Sequence, residues 1–201
     1  MLEVKLLHAS PLVVSDEAIS KCWDKPSKSV DHMLERMERV GLKNKHGSVL
    51  EHVNYTWDID GISRACLQEL ARHRHQSLSV KSTRYTLKEL KEANDVGDFL
   101  VKTGDDNIDA TNRMQLRSLQ YILQQSSLPN DILKYAIPEA YKTSLVSTMN
   151  MRAFRNFLEL RTSRAALWEI QNLALEMYKV IPDEHKFLFN DIIGGDNERM
   201  A

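Results

Sequence analysis

Cysteine is nearly absent: Cys22 and Cys66 are the two in 201 residues. Their spacing fits neither a disulfide framework nor a zinc motif, so both are expected to be reduced and packed as small hydrophobes. Glycine and proline are also sparse, at 7 and 5, which excludes a long low-complexity segment. No apolar run reaches the roughly 18 residues that a membrane span needs. The start, MLEVKLLHAS, lacks the basic stretch and apolar run of a secretion signal. A soluble, cytoplasmic chain with no membrane partner is expected. Charge of one sign is missing too: the net charge of −1 offers no global attraction for nucleic acid, so any anion site must be local. Finally, no GxGxxG, HExxH or paired-cysteine motif occurs, which argues against a Rossmann nucleotide domain and a zinc centre.

What is present suits a single domain over 1–201. Hydrophobic residues make up 42% and charged residues 27%. Residues 2–7 read as a short edge strand. Val30, Met33, Leu34, Met37 and Val40 recur at helical spacing over 29–40, giving a helix with a charged outer face that Gly41 can end. Over 53–60 the period becomes two, with Val53, Tyr55, Trp57 and Ile59 on one side, and Asp60 can cap a helix over 61–72 whose inner face is Ile62, Ala65, Cys66 and Leu70. A surface loop is expected over 95–107. Ile108, Leu116, Leu119, Ile122 and Leu123 mark a long helix to about 127, and a short one runs from Pro129 and Asn130 to Ala136 before Pro138. Tyr141, Thr143, Leu145, Ser147 and Met149 form one side of a second alternating strand. A helix over 151–161 follows. Ser163 can cap another, lined by Ala166, Leu167, Ile170, Leu173, Ala174, Met177 and Ile181 and ended by Pro182, with a frayed tail past Gly194. The sum is an α+β (α/β) domain, a small central β-sheet packed by several α-helices.

The chemistry concentrates in RHRHQSLSVKSTRY, residues 72–85. Arg72, His73, Arg74, His75, Lys81 and Arg84 alternate there with Ser77, Ser79, Ser82 and Thr83. Guanidinium forks and hydroxyls together suit phosphate oxygens, so the segment reads as an anion site. A solvated basic surface at a helix C-terminus satisfies the same residues. So does a nucleic-acid-binding module, although that class requires a broad basic face. A metal held by His46, His52, His73 and His75 lacks supporting carboxylates or thiolates; His52 fits a hydrogen-bonding role better, and His8 and His185 are expected on the surface.

Arg-His-Arg, seven residues, then serine, from Arg72 to Ser82 and followed by Arg84-Tyr85, resembles the signature of flavin-dependent thymidylate synthases. A second block, NMRAFRNFLELRTSRAALWEI, is similar to that family's C-terminal pattern in Asn150, Arg152, Asn156, Phe157, Leu158, Arg161, Trp168 and Glu169. A third, HGSVLEH at 46–52, resembles the segment before its first long strand. The resemblance implies an FAD enzyme that converts dUMP to dTMP, with methylenetetrahydrofolate as carbon donor and NADPH as hydride source for the flavin. It also implies a homotetramer that holds FAD and dUMP between subunits, with no need of a cysteine nucleophile and no nucleic-acid partner.

By that resemblance Ser48, Arg72, His73, Arg74, Asn150, Arg152 and Asn156 would contact FAD, and His46 would lie near flavin and folate. Glu69, Arg72, Val80, Lys81, Ser82, Thr83, Arg84, Lys134 and Arg161 fall where the family holds dUMP. Arg161 would be the catalytic residue, its permanent charge polarising the uracil edge. Five positions depart from the family pattern: Glu69 replaces a glutamine, with Gln68 one place earlier, Ser79-Val80 replaces Asn-Glu, Lys134 an arginine and Ala165 a histidine.

Overall fold

A computed structural model describes residues 1–193. Four antiparallel strands form one sheet in the order β1-β2-β4-β3, with β1 spanning Glu3–Ala9, β2 Asn54–Ser63, β3 Gln76–Val80 and β4 Lys142–Asn150. The period-two pattern dictates the two central strands. Tyr55, Trp57 and Ile59 of β2 and Thr143, Leu145, Ser147 and Met149 of β4 are all buried, while β1 is the expected short edge strand.

The helices are α1 (Val13–Trp23), α2 (Val30–Met37), α3 (Arg64–Ala71), α4 (Thr83–Lys91), α5 (Asp106–Gln125), α6 (Asn130–Leu133), α7 (Met151–Arg161), α8 (Trp168–Lys179), α9 (Asp183–Lys186) and α10 (Asn190–Ile193). The main core joins β2 and β4 to α1, α2, α3, α7 and α8. At its centre the Trp57 ring lies 4.7 Å from that of Phe154 and 5.5 Å from that of Tyr55, and the Trp57 indole donates to the Met177 carbonyl (3.2 Å). A smaller core under α4 and α5 gathers Leu87, Leu90, Val96, Leu100, Leu116, Leu119, Leu123, Leu133 and Tyr141.

Several expectations are corrected. Asp60 caps nothing. Gly61, at φ +83°, makes a bulge where a Cβ would strike the Met1 carbonyl oxygen, the register shifts between Asp60 and Ile62, and β2 runs on to Ser63, whose side chain caps α3 by accepting from the Cys66 N–H. Gly41 does not end the second helix: a π-helical stretch, Glu38–Lys43, carries the chain past it. The outer face of α2 is not wholly charged and solvated, since Arg36 is buried against Asp16 and reaches Ser20 Oγ (2.7 Å) and the Lys25 carbonyl (2.6 Å). Ser163 starts no helix, because α8 begins at Trp168. Ile108 and Ile122 are exposed on α5, and Leu167 is exposed just before α8. His185 is buried beside the Tyr55 hydroxyl (2.9 Å). Cys22 is exposed, whereas Cys66 is buried as expected. The 95–107 loop carries a short 3-10 turn, Val96–Phe99, pinned because Val96 and Leu100 reach the smaller core. Helices α1, α4, α9 and α10 and strand β3 are additions to the expected elements; the tail past Gly194 lies outside the described residues.

Candidate functional site

Strand β4 ends at Asn150, whose side chain caps α7 by accepting from the Ala153 N–H (2.8 Å). One face of α7 then turns to the core through Met151, Phe154, Phe157 and Leu158. The opposite face presents Arg152, Asn156 and Glu159, at helical spacing, to a cavity of about 1200 Å³. Its other wall is the turn after α3, which supplies Arg72, His73, Arg74 and His75. Gln76 fixes that turn, its amide donating to the carbonyls of Leu70 (2.6 Å) and His73 (2.9 Å). Two blocks some eighty residues apart in sequence thus meet in one cationic cleft.

Arg161, at the end of α7, is the most tightly held of these cations. Its side chain is 15% exposed. Nε donates to His73 Nε2 (2.9 Å), one Nη to Glu69 Oε2 (2.8 Å) and the other to the Glu69 carbonyl (3.0 Å). His73 rests edge-on against Phe157 at 5.0 Å. Burial, with the Arg161 charge behind it, holds the imidazole below its usual 6.5, which suits an acceptor nitrogen. At the cleft mouth Arg152 pairs with Glu51 (2.7 Å) and packs over Gly47, where a Cβ would come within 3.1 Å of Arg152 Nε.

Arg72, His73, Arg74, Asn150, Arg152, Asn156 and Arg161 therefore come together in the cleft. Ser48 and His46 sit at the 3-10 turn Gly47–His52 that carries Glu51; both are exposed, as is His52, with the His46 ring 6.5 Å from that of Trp23. Glu69 stands behind Arg161, and Gln68 turns to Glu139 (2.9 Å). Val80, Lys81, Ser82, Thr83, Arg84 and Lys134 lie elsewhere. Gln76 opposes Met149 at the cleft end of the sheet, but the Lys81 N–H bonds the Ser144 carbonyl (2.8 Å), five residues away along β4 or about 17 Å at 3.4 Å per residue. There Ser82 occupies the N-cap of α4 without spending its hydroxyl on a capping bond. Lys81 pairs with Glu89 (2.7 Å), Arg84 with Asp131 (2.6 Å), and the Asn130 amide donates to the Arg84 carbonyl (2.7 Å).

Four supporting residues carried no assigned role in the sequence. Gln76 and Glu51 have no spacing signal, nor does Asp131. Glu169 was visible in the second block, and its buried carboxylate accepts from the Ser63 N–H (2.7 Å), tying α8 to the start of α3. Among the described residues no three His, Cys, Asp or Glu side chains cluster as a metal site, and no helix is long and apolar enough to cross a membrane.

A cationic cleft between a sheet end and an Arg-His-Arg turn, on an α+β fold, has the donor chemistry that suits a phosphate-bearing ligand. The family model described as thymidylate synthase complementing protein matches residues 6–185. The chain is 47% identical to the flavin-dependent thymidylate synthase of Campylobacter jejuni, over 98% of this chain and 100% of that one. It is 46% identical to that of Wolinella succinogenes, over 94% and 97%. A crystal structure of thymidylate synthase X from Helicobacter pylori with FAD and dUMP superposes with a TM-score of 0.90 at 40% identity, covering 95% of this chain and 99% of that one. The chain belongs to the flavin-dependent thymidylate synthase family.

Proposed function

We propose that this enzyme converts dUMP to dTMP with FAD seated in the cleft, methylenetetrahydrofolate giving the carbon and NADPH the reducing equivalents, in the cytoplasm. The observation that carries the site reading is the meeting of the Arg-His-Arg turn with Asn150, Arg152, Asn156 and Arg161 around one cavity. Its size and donor set fit a dinucleotide: guanidiniums and amides are the groups that hold pyrophosphate and ribose oxygens. When bound, the flavin supplies the hydride chemistry; the protein binds, orients and polarises.

Arg72, His73, Arg74, Arg152, Asn150 and Asn156 hold the cofactor in this reading, with Ser48 and His46 beside its rim. Arg161 meets the pyrimidine, where fixed positive charge stabilises negative charge developing on the base. No cysteine is needed. Cys66 is sealed in the core, and burial pushes its thiol far above the ordinary range, which disfavours the thiolate a nucleophile requires.

Ser82, Arg84 and Lys134, with Lys81, Thr83 and the Val80 backbone, take the nucleotide phosphate. They stand at the far end of β3 from Arg161, so a mononucleotide touching both sets draws them from two protomers. A homotetramer with shared sites meets that requirement. The test is an assay with dUMP, methylenetetrahydrofolate, FAD and NADPH that follows dTMP. Protein that takes up FAD and dUMP yet forms no dTMP would contradict the reaction.

A further inference from the structure

Glu69 stands where the family pattern has a glutamine, and the exchange changes what the position can do. A glutamine amide can donate to a carbonyl of the base; a carboxylate has only acceptors. Both acceptors of Glu69 nearest the cleft are already turned to Arg161, Oε2 at 2.8 Å and the backbone carbonyl at 3.0 Å. The remaining oxygen faces another cation, Arg72 Nη1 at 3.8 Å. With His73 taking Nε, three of the five guanidinium N–H groups of Arg161 are committed, and one on each terminal nitrogen remains for a ligand. The pair is sheltered, Arg161 at 15% and Glu69 at 31% side-chain exposure, so its geometry is held more firmly than that of a surface pair.

Resting on the reading of Arg161 given above, we propose that Glu69 is a positioning residue: it locks Arg161 in the orientation that meets the pyrimidine and does not itself contact the nucleotide. The rotamer freedom of a long side chain is then removed before substrate arrives, and an Arg161 left to swing would lose it on binding.

The test is a double-mutant cycle read by dUMP binding to the FAD-loaded protein in equilibrium dialysis, with turnover measured in parallel. Glu69→Ala should weaken dUMP binding about 10–100-fold, the range for losing a charge-assisted partner. Glu69→Gln, whose amide oxygen can still accept from Arg161, should recover most of that loss. In an Arg161→Ala background, adding Glu69→Ala should change dUMP binding by less than about twofold, because the residue acts through the arginine. Multiplying effects in the double variant would overturn the proposal by showing an independent contact, as would a Glu69→Ala protein that binds dUMP like the parent. A parent protein that binds neither FAD nor dUMP would overturn the functional reading along with it. Flavin absorbance and thermal melting verify that each variant is folded, and Glu69→Leu, which likewise removes the carboxylate acceptors, carries the same expected loss and the same cycle if Glu69→Ala is not.

Discussion

Arg161 and Arg84 are both assigned to the nucleotide, yet the protein treats them differently. Arg161 is wedged between two elements at 15% exposure, with acceptors on all three of its nitrogens. Arg84 is 56% exposed and leans on the Asp131 carboxylate, itself 51% exposed. A solvated pair of that kind contributes about 0–1 kcal/mol, so a phosphate can displace Asp131 at small cost. On the proposed assignment, the chain presets the charge that acts on the base and leaves recruitable the charge that captures the phosphate. Their separation across the length of β3 carries the same lesson: in the proposed reading the preset cation is fixed within one chain, and the recruitable one reaches the same nucleotide from a second.

The largest effect should follow from breaking the preset end. Arg161→Ala should lower dTMP formation by about 10²–10³-fold, the scale for removing one charge-stabilising donor, while the yellow flavin stays bound. Loss of FAD in that variant would move Arg161 into the cofactor site and dissolve the contrast. Arg84→Ala comes next. Removing one charge-assisted phosphate contact, worth about 1.5–3 kcal/mol, should raise KM for dUMP roughly tenfold or more with little change in kcat, and the parent's KM should climb with salt as exposed charges are screened. An unchanged KM would mean that the α4 N-terminus does not bind the phosphate.

The legible parts of this molecule are those where one local rule acts alone. Helix α7 keeps the expected bounds 151–161, and strand β4 is displaced by one residue from the expected 141–149, with Thr143, Leu145, Ser147 and Met149 all buried. β3 escaped notice because QSLSV is an edge strand with little burial, so hydrophobic alternation hardly marks it. Asp60 is the expected cap, but a bulge at Gly61, where a Cβ would strike the Met1 carbonyl, lets β2 run on to Ser63, which caps α3 instead. His185 looked like a surface group because its burial depends on Tyr55, 130 residues away. In the site, the cations are legible as types, but what holds them is not. Gln76 and Asp131 carry no signal, and Glu69, expected at the nucleotide, turns to Arg161 through a contact that only the folded chain creates.

The smallest effect, and the finest test of the contrast, is pH. Arg161 Nε donates to His73 Nε2, a bond that needs that nitrogen unprotonated. Burial first, and the Arg161 charge second, hold His73 below 6.5, with Glu69 pulling weakly the other way. The unfolded chain therefore takes up this proton near pH ~6.5 and the folded chain only lower. Below about 6.5 the unfolded state binds more protons, so the stability from His73 is complete above that pH and is lost as pH falls toward the folded value. His185, also lowered by burial, contributes in the same direction. Thermal melting of the parent should thus decline from pH 7.5 to 5.5, and His73→Gln, which accepts from Arg161 without titrating, should shrink the decline while His185 preserves part of it. An undiminished slope in His73→Gln would mean that the imidazole is not Arg161's acceptor, and the preset arginine would then rest on Glu69 alone.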